Sequence, residues 1–255
     1  MTALSNFHTH TRFCDGKDTP EELVLEALRL GCPALGFSGH AHVSFDDCCM
    51  TPEGTADYRR EIARLREAYR GRLAILCGIE QDYYSDLSTE GYDYVIGSVH
   101  YIKKDGAILF VDLSRESFIE QVQTYYGGDF YAFAEDYYAL VAGVWEKTRC
   151  RVVGHFDLVT KFNEGDALFD TAHPRYRRAA LDALDALSGR ALLFEVNTGA
   201  IARGYRKTPY PAPFILEELI ARREALILSS DCHDKRNLLF GLEAYRALPG
   251  LVERP

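Results

Sequence analysis

The sequence has no apolar run approaching the ~20 residues that a membrane-crossing helix needs, which excludes a helical span. Its first residues, Met1 to His8, show no basic segment and no apolar core, so no cleaved leader is expected. Cysteine is present without pattern: there are seven, an odd number, with Cys48 and Cys49 adjacent and no Cys-x-x-Cys. That argues against a disulfide framework and a thiolate zinc site, and it fits a reducing, cytoplasmic compartment with cysteines used as small core hydrophobes. Basic charge is in deficit, with a formal net charge of -9. That argues against broad nucleic-acid binding by an exposed basic face. A phosphorylated small molecule is not excluded, because bound metal ions can supply positive charge locally. There is no internal repeat, low-complexity tract or linker. A chain of 255 residues is long enough for one sizeable core, as a single barrel or as two modest domains, and without a boundary residues 1–255 are expected to form one domain.

What is present is a regular alternation of buried strands and helices. Strands are expected at Ser5–His8, Ala34–Ser38, Leu73–Ile79, Tyr94–Val99, Arg151–Val153, Leu192–Val196 and Ala225–Ser229. Helices are expected from Thr19-Pro20, from Thr55 to about Tyr69, within Ser114–Lys147, over Pro174–Leu187 and Pro211–Arg222, and in a short piece at Gly241–Leu248. Thr19 reads as a helix cap, with Pro20 at the first helical position and acids in the first turn. Leu23, Ala27, Leu28 and Leu30 give that helix its apolar stripe, and residues 43–54 read as a loop. Repeated strand-then-helix order implies parallel strands and an α/β fold, and about seven such units favour a closed barrel. Aromatic residues concentrate between Tyr125 and Trp145. They suit either a stacking surface or helix packing, and helical spacing alone explains them.

The chemistry-bearing residues follow the strands. His8 and His10 stand two apart on an extended chain and so face one point. Asp15, His40, His42, Glu80, His100, His155, Asp231 and His233 also lie at or just past strand ends, leaving only His173 elsewhere. In a barrel, the loops after the strands share one face, where these side chains would meet. Imidazole and carboxylate without thiolate suit zinc, manganese or iron. So many ligands exceed one ~four-coordinate site, which implies two or three divalent ions, with Glu80 the natural bridging carboxylate. Such a cluster is equipped to hydrolyse a phosphate ester, and equally an amide or lactone. Arg203 and Lys161, each in a loop after a strand, would hold non-bridging phosphate oxygens. The alternative for both is a solvated surface charge.

These motifs resemble the polymerase-and-histidinol-phosphatase (PHP) family, nearly end to end. The resemblance is carried by Phe7-His8-Thr9-His10 through Gly16, Gly39-His40-Ala41-His42, Gly78-Ile79-Glu80, Gly97-Ser98-Val99-His100-Tyr101, Gly154-His155-Phe156-Asp157-Leu158, Glu195-Val196-Asn197-Thr198 and Ser230-Asp231-Cys232-His233. Cys14 and Tyr210-Pro211-Ala212-Pro213 are similar to the family's phosphatase branch. The resemblance implies a distorted (β/α)7 TIM-like barrel and a trinuclear metal centre. His8, His10, Glu80 and Asp231 would hold one ion, Glu80, His100 and His155 a second, and Asp15, His40 and His233 a third. His42 would contact phosphate or protonate the leaving alkoxide, and Asp231 would assist proton transfer. The implied activity is hydrolysis of L-histidinol phosphate in histidine biosynthesis, with no nucleic-acid or membrane partner. The alternative is a PHP phosphoesterase acting on nucleotides or another small ester. Two departures from the branch bear on phosphate contacts: Thr160 stands before Lys161, and the Gly199–Arg203 loop is worded differently.

Overall fold

The computed structural model describes residues 3–255. Its strands are β1 (Ala34–Phe37), β2 (Ala74–Asp82), β3 (Tyr94–Ser98), β4 (Tyr101–Lys104), β5 (Ala107–Phe110), β6 (Val152–Val153), β7 (Leu193–Asn197) and β8 (Ala225–Ser229). Six of them pair in parallel in the order β1-β2-β3-β6-β7-β8, and β4 with β5 forms a separate hairpin. The N-terminal segment completes the ring. Asn6 bridges to Leu35 beside β1, and Thr9 bridges to Cys232 just beyond β8. Gly36 N–H donates to the Asn6 carbonyl, and His10 N–H to the Cys232 carbonyl, each at 2.8 Å. The result is a distorted, TIM-like α/β barrel, as the alternation of elements implied.

The helices are α1 (Pro20–Arg29), α2 (Pro52–Ala68), α3 (Arg115–Tyr126), α4 (Phe130–Ala142), α5 (Val144–Thr148), α6 (Pro174–Leu187), α7 (Gly199–Ala202) and α8 (Pro213–Ala221). α1 opens on a complete capping box: Glu22 N–H donates to Thr19 Oγ1 at 3.3 Å, and Thr19 N–H to Glu22 Oε2 at 2.9 Å. Thr19→Ala should lower unfolding stability by about 1 kcal/mol, read as a shifted urea midpoint. The buried stripe of α1 is Leu23, Val24 and Ala27, whereas Leu30 is 38% exposed because it lies past the last turn. α2 begins at Pro52 rather than Thr55, since Thr51 caps it through Gly54 N–H. The β4–β5 hairpin went unanticipated, although its turn has the signal: Asp105 and Gly106 both adopt positive φ, 49° and 82°. The aromatic concentration is packing, with Phe133, Tyr137 and Tyr138 of α4 fully buried and Tyr138 bonded to Tyr176 of α6.

Two-residue periodicity divides the barrel interior into floor and mouth. Phe7, Tyr94, Ile96, Val152, Leu193 and Ile227 fill the floor. Two residues further along the strands, the inward positions become polar: Ile96 gives way to Ser98, Leu193 to Glu195 and Ile227 to Ser229, all buried. The Tyr94 ring lies across the interior, where Gly78 leaves it space that any side chain would fill, and its hydroxyl donates to the Phe7 carbonyl at 2.5 Å.

Candidate metal centre

Glu80 lies at the centre of the mouth, 1% exposed. Its Oε2 stands 3.2 Å from His8 Nε2, 3.4 Å from His10 Nε2 and 2.9 Å from His40 Nδ1. Its Oε1 stands 2.9 Å from His155 Nε2 and 3.4 Å from His100 Nε2, and it accepts from Ser98 Oγ at 2.7 Å. Asp231 Oδ1 is 3.6 Å from His8 Nε2 and 3.2 Å from His10 Nε2. Asp15 lies 3.1 Å from His233 Nε2, 3.5 Å from His10 Nδ1 and 3.6 Å from His40 Nε2. Within these contacts, four overlapping groups bring their donor atoms within 4.8 Å of one another: His10-Asp15-His40-His233, His8-Glu80-His155, His8-His10-Asp231 and His40-Glu80-His100.

These donors suit cations better than they suit each other. His8 Nε2, His10 Nε2 and Glu80 Oε2 are buried, and none completes a hydrogen bond despite their proximity. Buried polar atoms without partners are costly, and convergence on a common point removes that cost if a cation sits there. Imidazole and carboxylate donors fit a borderline divalent ion.

Two backbone features set the Asp231 carboxylate. Its residue takes a left-handed conformation, φ 46°, which Asp tolerates better than most. Gly199 lies so close that an added Cβ would stand 2.8 Å from Asp231 Cβ. Arg203 then donates to Asp231 Oδ2 at 2.9 Å and to its carbonyl at 3.1 Å. Lys161 Nζ donates to Asp112 Oδ2 at 3.0 Å and to the Asp112 carbonyl at 2.9 Å. Arg203 and Lys161 both line a cleft of about 220 Å³ above the centre, together with Asp15, His40, Glu80, His100, Asp231 and His233. His42 does not line it. Its ring faces the Met50 carbonyl at 3.2 Å, so the proton-transfer and phosphate roles expected of it have no geometry behind them. His173 is likewise elsewhere, capping α6 and stacked on Tyr131.

Charge is shared tightly among these groups. Burial alone would depress His8, but Glu195, Glu80 and Asp231 raise it well above its ordinary value. Burial, then His233 and His40, push His10 down to about 3. His40 rises to about 9 because Glu80 and Asp15 outweigh its burial. Burial opposes ionisation of Glu80 and Asp231, yet both stay well below the carboxylate range, through His8, His40 and His100 for Glu80 and through Arg203 and His8 for Asp231. The carboxylates are therefore ionised, which is what ligation requires.

Compared with known families, the chain matches the PHP domain over residues 6–199. The chain belongs to the PHP family. A Bacillus subtilis relative named histidinol-phosphatase is 29% identical over 266 residues, covering 93% of this chain and 96% of its own. A Deinococcus radiodurans relative named "Probable histidinol-phosphatase" is 32% identical over 248 residues, covering 91% of this chain and 87% of its own. The crystal structure of histidinol phosphate phosphatase from Lactococcus lactis, solved with zinc, L-histidinol and phosphate, superposes with a TM-score of 0.71 at 20% identity, covering 91% of this chain and 87% of that one. This last likeness bears on the fold.

The PHP motifs include Glu195 without showing that it supports the candidate ligands. Glu195 Oε1 accepts from His8 Nδ1 at 2.6 Å and from Ser229 Oγ, while its Oε2 accepts from His155 N–H at 2.7 Å and from Asn197 Nδ2 at 2.9 Å. Asp82 Oδ2 similarly faces His100 Nδ1 at 3.3 Å and accepts from His100 N–H at 2.9 Å. Partners of this kind fix the tautomer and ring orientation of a ligating imidazole. A signal for Glu195 did exist: an acid at an inward position of an otherwise apolar buried strand.

Proposed function

We propose that this PHP protein is a metal-dependent phosphomonoesterase that hydrolyses L-histidinol phosphate to L-histidinol and phosphate, in the cytoplasm and within histidine biosynthesis. The observation that carries the reading is the convergence of imidazoles and carboxylates on Glu80, beneath a cleft that also presents Arg203 and Lys161. Relatives named histidinol-phosphatase, at 27–32% identity and covering 79% or more of their own lengths, support the choice of ester.

His8, His10 and Asp231 would hold one divalent ion, His100 and His155 a second, and Asp15, His40 and His233 a third, with Glu80 shared. Two or three such ions, of zinc, manganese or iron, would acidify a water and polarise the phosphate when bound. The chain's own residues do the rest. Arg203, steered by Asp231, presents its guanidinium to non-bridging phosphate oxygens. Lys161, held by Asp112, adds a second positive charge at the same cleft. Asp231 would take a proton from the attacking water and pass it to the leaving alkoxide as the ester is cleaved. Residues 1–255 act in this reading as one PHP-type barrel domain on a small-molecule ester.

The test is phosphate release by metal-replete protein from L-histidinol phosphate, a nucleoside monophosphate and a nucleoside bisphosphate. Histidinol phosphate is expected to exceed both nucleotides in kcat/KM by at least about 10²-fold, the order that a few unpaired polar contacts impose. Turnover of the nucleotides alone would replace the substrate and leave the metal centre.

A further inference from the structure

The cleft is electrically lopsided. Its cations, Lys161 and Arg203, follow β6 and β7. On the other side of the strand order, the loop after β1 presents Asp46, and the hairpin that follows β3 presents Tyr101, both lining the same cleft. Loop and hairpin share a small core of their own. Val43, Cys49 and Tyr101 are buried there, with Phe45, Tyr84 and Phe110 packed against them. Tyr101 meets the Phe45 ring edge-on at 4.9 Å and Phe110 at 5.1 Å. This wall is therefore built rather than adventitious.

On that wall the Asp46 carboxylate is fixed by neutral donors. Tyr101 OH donates to Oδ2 at 2.7 Å, and Cys48 N–H donates to Oδ1 at 2.9 Å. Every other carboxylate lining the cleft has a basic partner. Asp15 faces His233 at 3.1 Å, Glu80 faces His155 at 2.9 Å, Asp112 accepts from Lys161 at 3.0 Å and Asp231 accepts from Arg203 at 2.9 Å. Asp46 forms no ion pair with any Lys, Arg or His among the described residues. A preoriented, uncompensated carboxylate in a partly buried cleft attracts a cationic group of the ligand, and a hydrogen bond to such a group is of the strong, charge-assisted kind.

We propose that Asp46, oriented by Tyr101, seats the protonated amine of the substrate and so selects amine-bearing phosphate monoesters over uncharged ones. The proposal rests on the phosphatase reading above. It makes the cleft complementary to a zwitterion, with phosphate towards Arg203 and Lys161 and ammonium towards Asp46. Asp46 is thus a specificity residue, and Tyr101 a positioning residue acting through it.

The experiment compares kcat/KM for L-histidinol phosphate with that for its deaminated twin, 3-(imidazol-4-yl)propyl phosphate, in metal-loaded wild type, Asp46→Asn and Tyr101→Phe. The two esters share phosphate and imidazole and differ only in the amine. Asp46→Asn is expected to lower the amine-over-deaminated ratio by about 10- to 100-fold. Tyr101→Phe should move it in the same direction by less, with bound metal unchanged in both variants. An unaltered ratio in Asp46→Asn, or equal losses on both esters, overturns the proposal and leaves Asp46 a loop-ordering residue. Should Asp46→Asn fail to fold, Tyr101→Phe decides, and an unaltered ratio there overturns it. A wild type that cleaves both esters without preferring the amine also overturns it while keeping the phosphatase reading. Release from neither ester overturns both.

Discussion

Glu80→Gln is expected to lose at least one bound divalent ion per chain and to slow phosphate release by about 10³-fold, the scale set when preorganised charge is removed from a transition state. The substitution keeps shape and removes charge. Both carboxylate oxygens are engaged, Oε2 towards His8, His10 and His40 and Oε1 towards His100 and His155. An amide offers one acceptor and one pair of N–H donors in their place. The donors would face either the orphaned His8 and His10 nitrogens or the Ser98 hydroxyl, which now donates to Oε1. Neither orientation reproduces the charged oxygens that the proposed bridging of two ions requires. Metal content by elemental analysis, read beside initial rates at saturating metal, checks the result. Full metal occupancy with full turnover in Glu80→Gln would remove Glu80 from the bridging role.

Glu195→Gln should act from one layer further out, through stability as well as affinity. Glu195 touches no cation site directly. It accepts from four donors, namely His8 Nδ1, Ser229 Oγ, His155 N–H and Asn197 Nδ2. It is buried, and although burial resists its ionisation, His8 pulls its carboxyl below the ordinary range. A glutamine NH2 group would oppose two of those donors in either orientation. The expected cost is about 3 kcal/mol, the lower end for breaking a buried charged pair, which in a chain of this size lowers Tm by roughly 6–12 °C. Metal affinity should also fall by about 10- to 100-fold, because His8 loses the partner that sets its tautomer. Calorimetry of the apo protein and competition with a chelator separate the two effects. Unchanged metal affinity in a destabilised variant would reduce Glu195 to a purely structural residue.

The difference between Glu80 and Glu195 shows that the sequence marks a residue's position more readily than its role. Glu80 was legible because it follows an apolar run in company with seven histidines and two aspartates at other strand ends. Parallel strands place such ends on one face, whatever the details. Alternation of strand and helix, the α1 cap and the packing role of the α4 aromatics were legible for the same reason: each follows from periodicity or from residues a few positions apart. The α2 start was misplaced by three residues because Pro52 and Gly54 read as loop until Thr51 is seen capping them.

What the sequence determined alone is the chemical inventory, imidazoles and carboxylates at the ends of buried strands, and with it the α/β barrel that gathers them. Only the tertiary structure decided which imidazole shares which oxygen, that His42 turns to Met50 and out of the cleft, that Glu195 holds His8 and His155 together, and that the β4–β5 hairpin gives Asp46 its wall. The reason is closure. Asn6 hydrogen-bonds to Ser230 across 224 residues of sequence, and Thr9 bridges to Cys232. Side-chain directions at that seam depend on how far the sheet curls before it meets itself, a quantity summed over every strand and encoded in no single one.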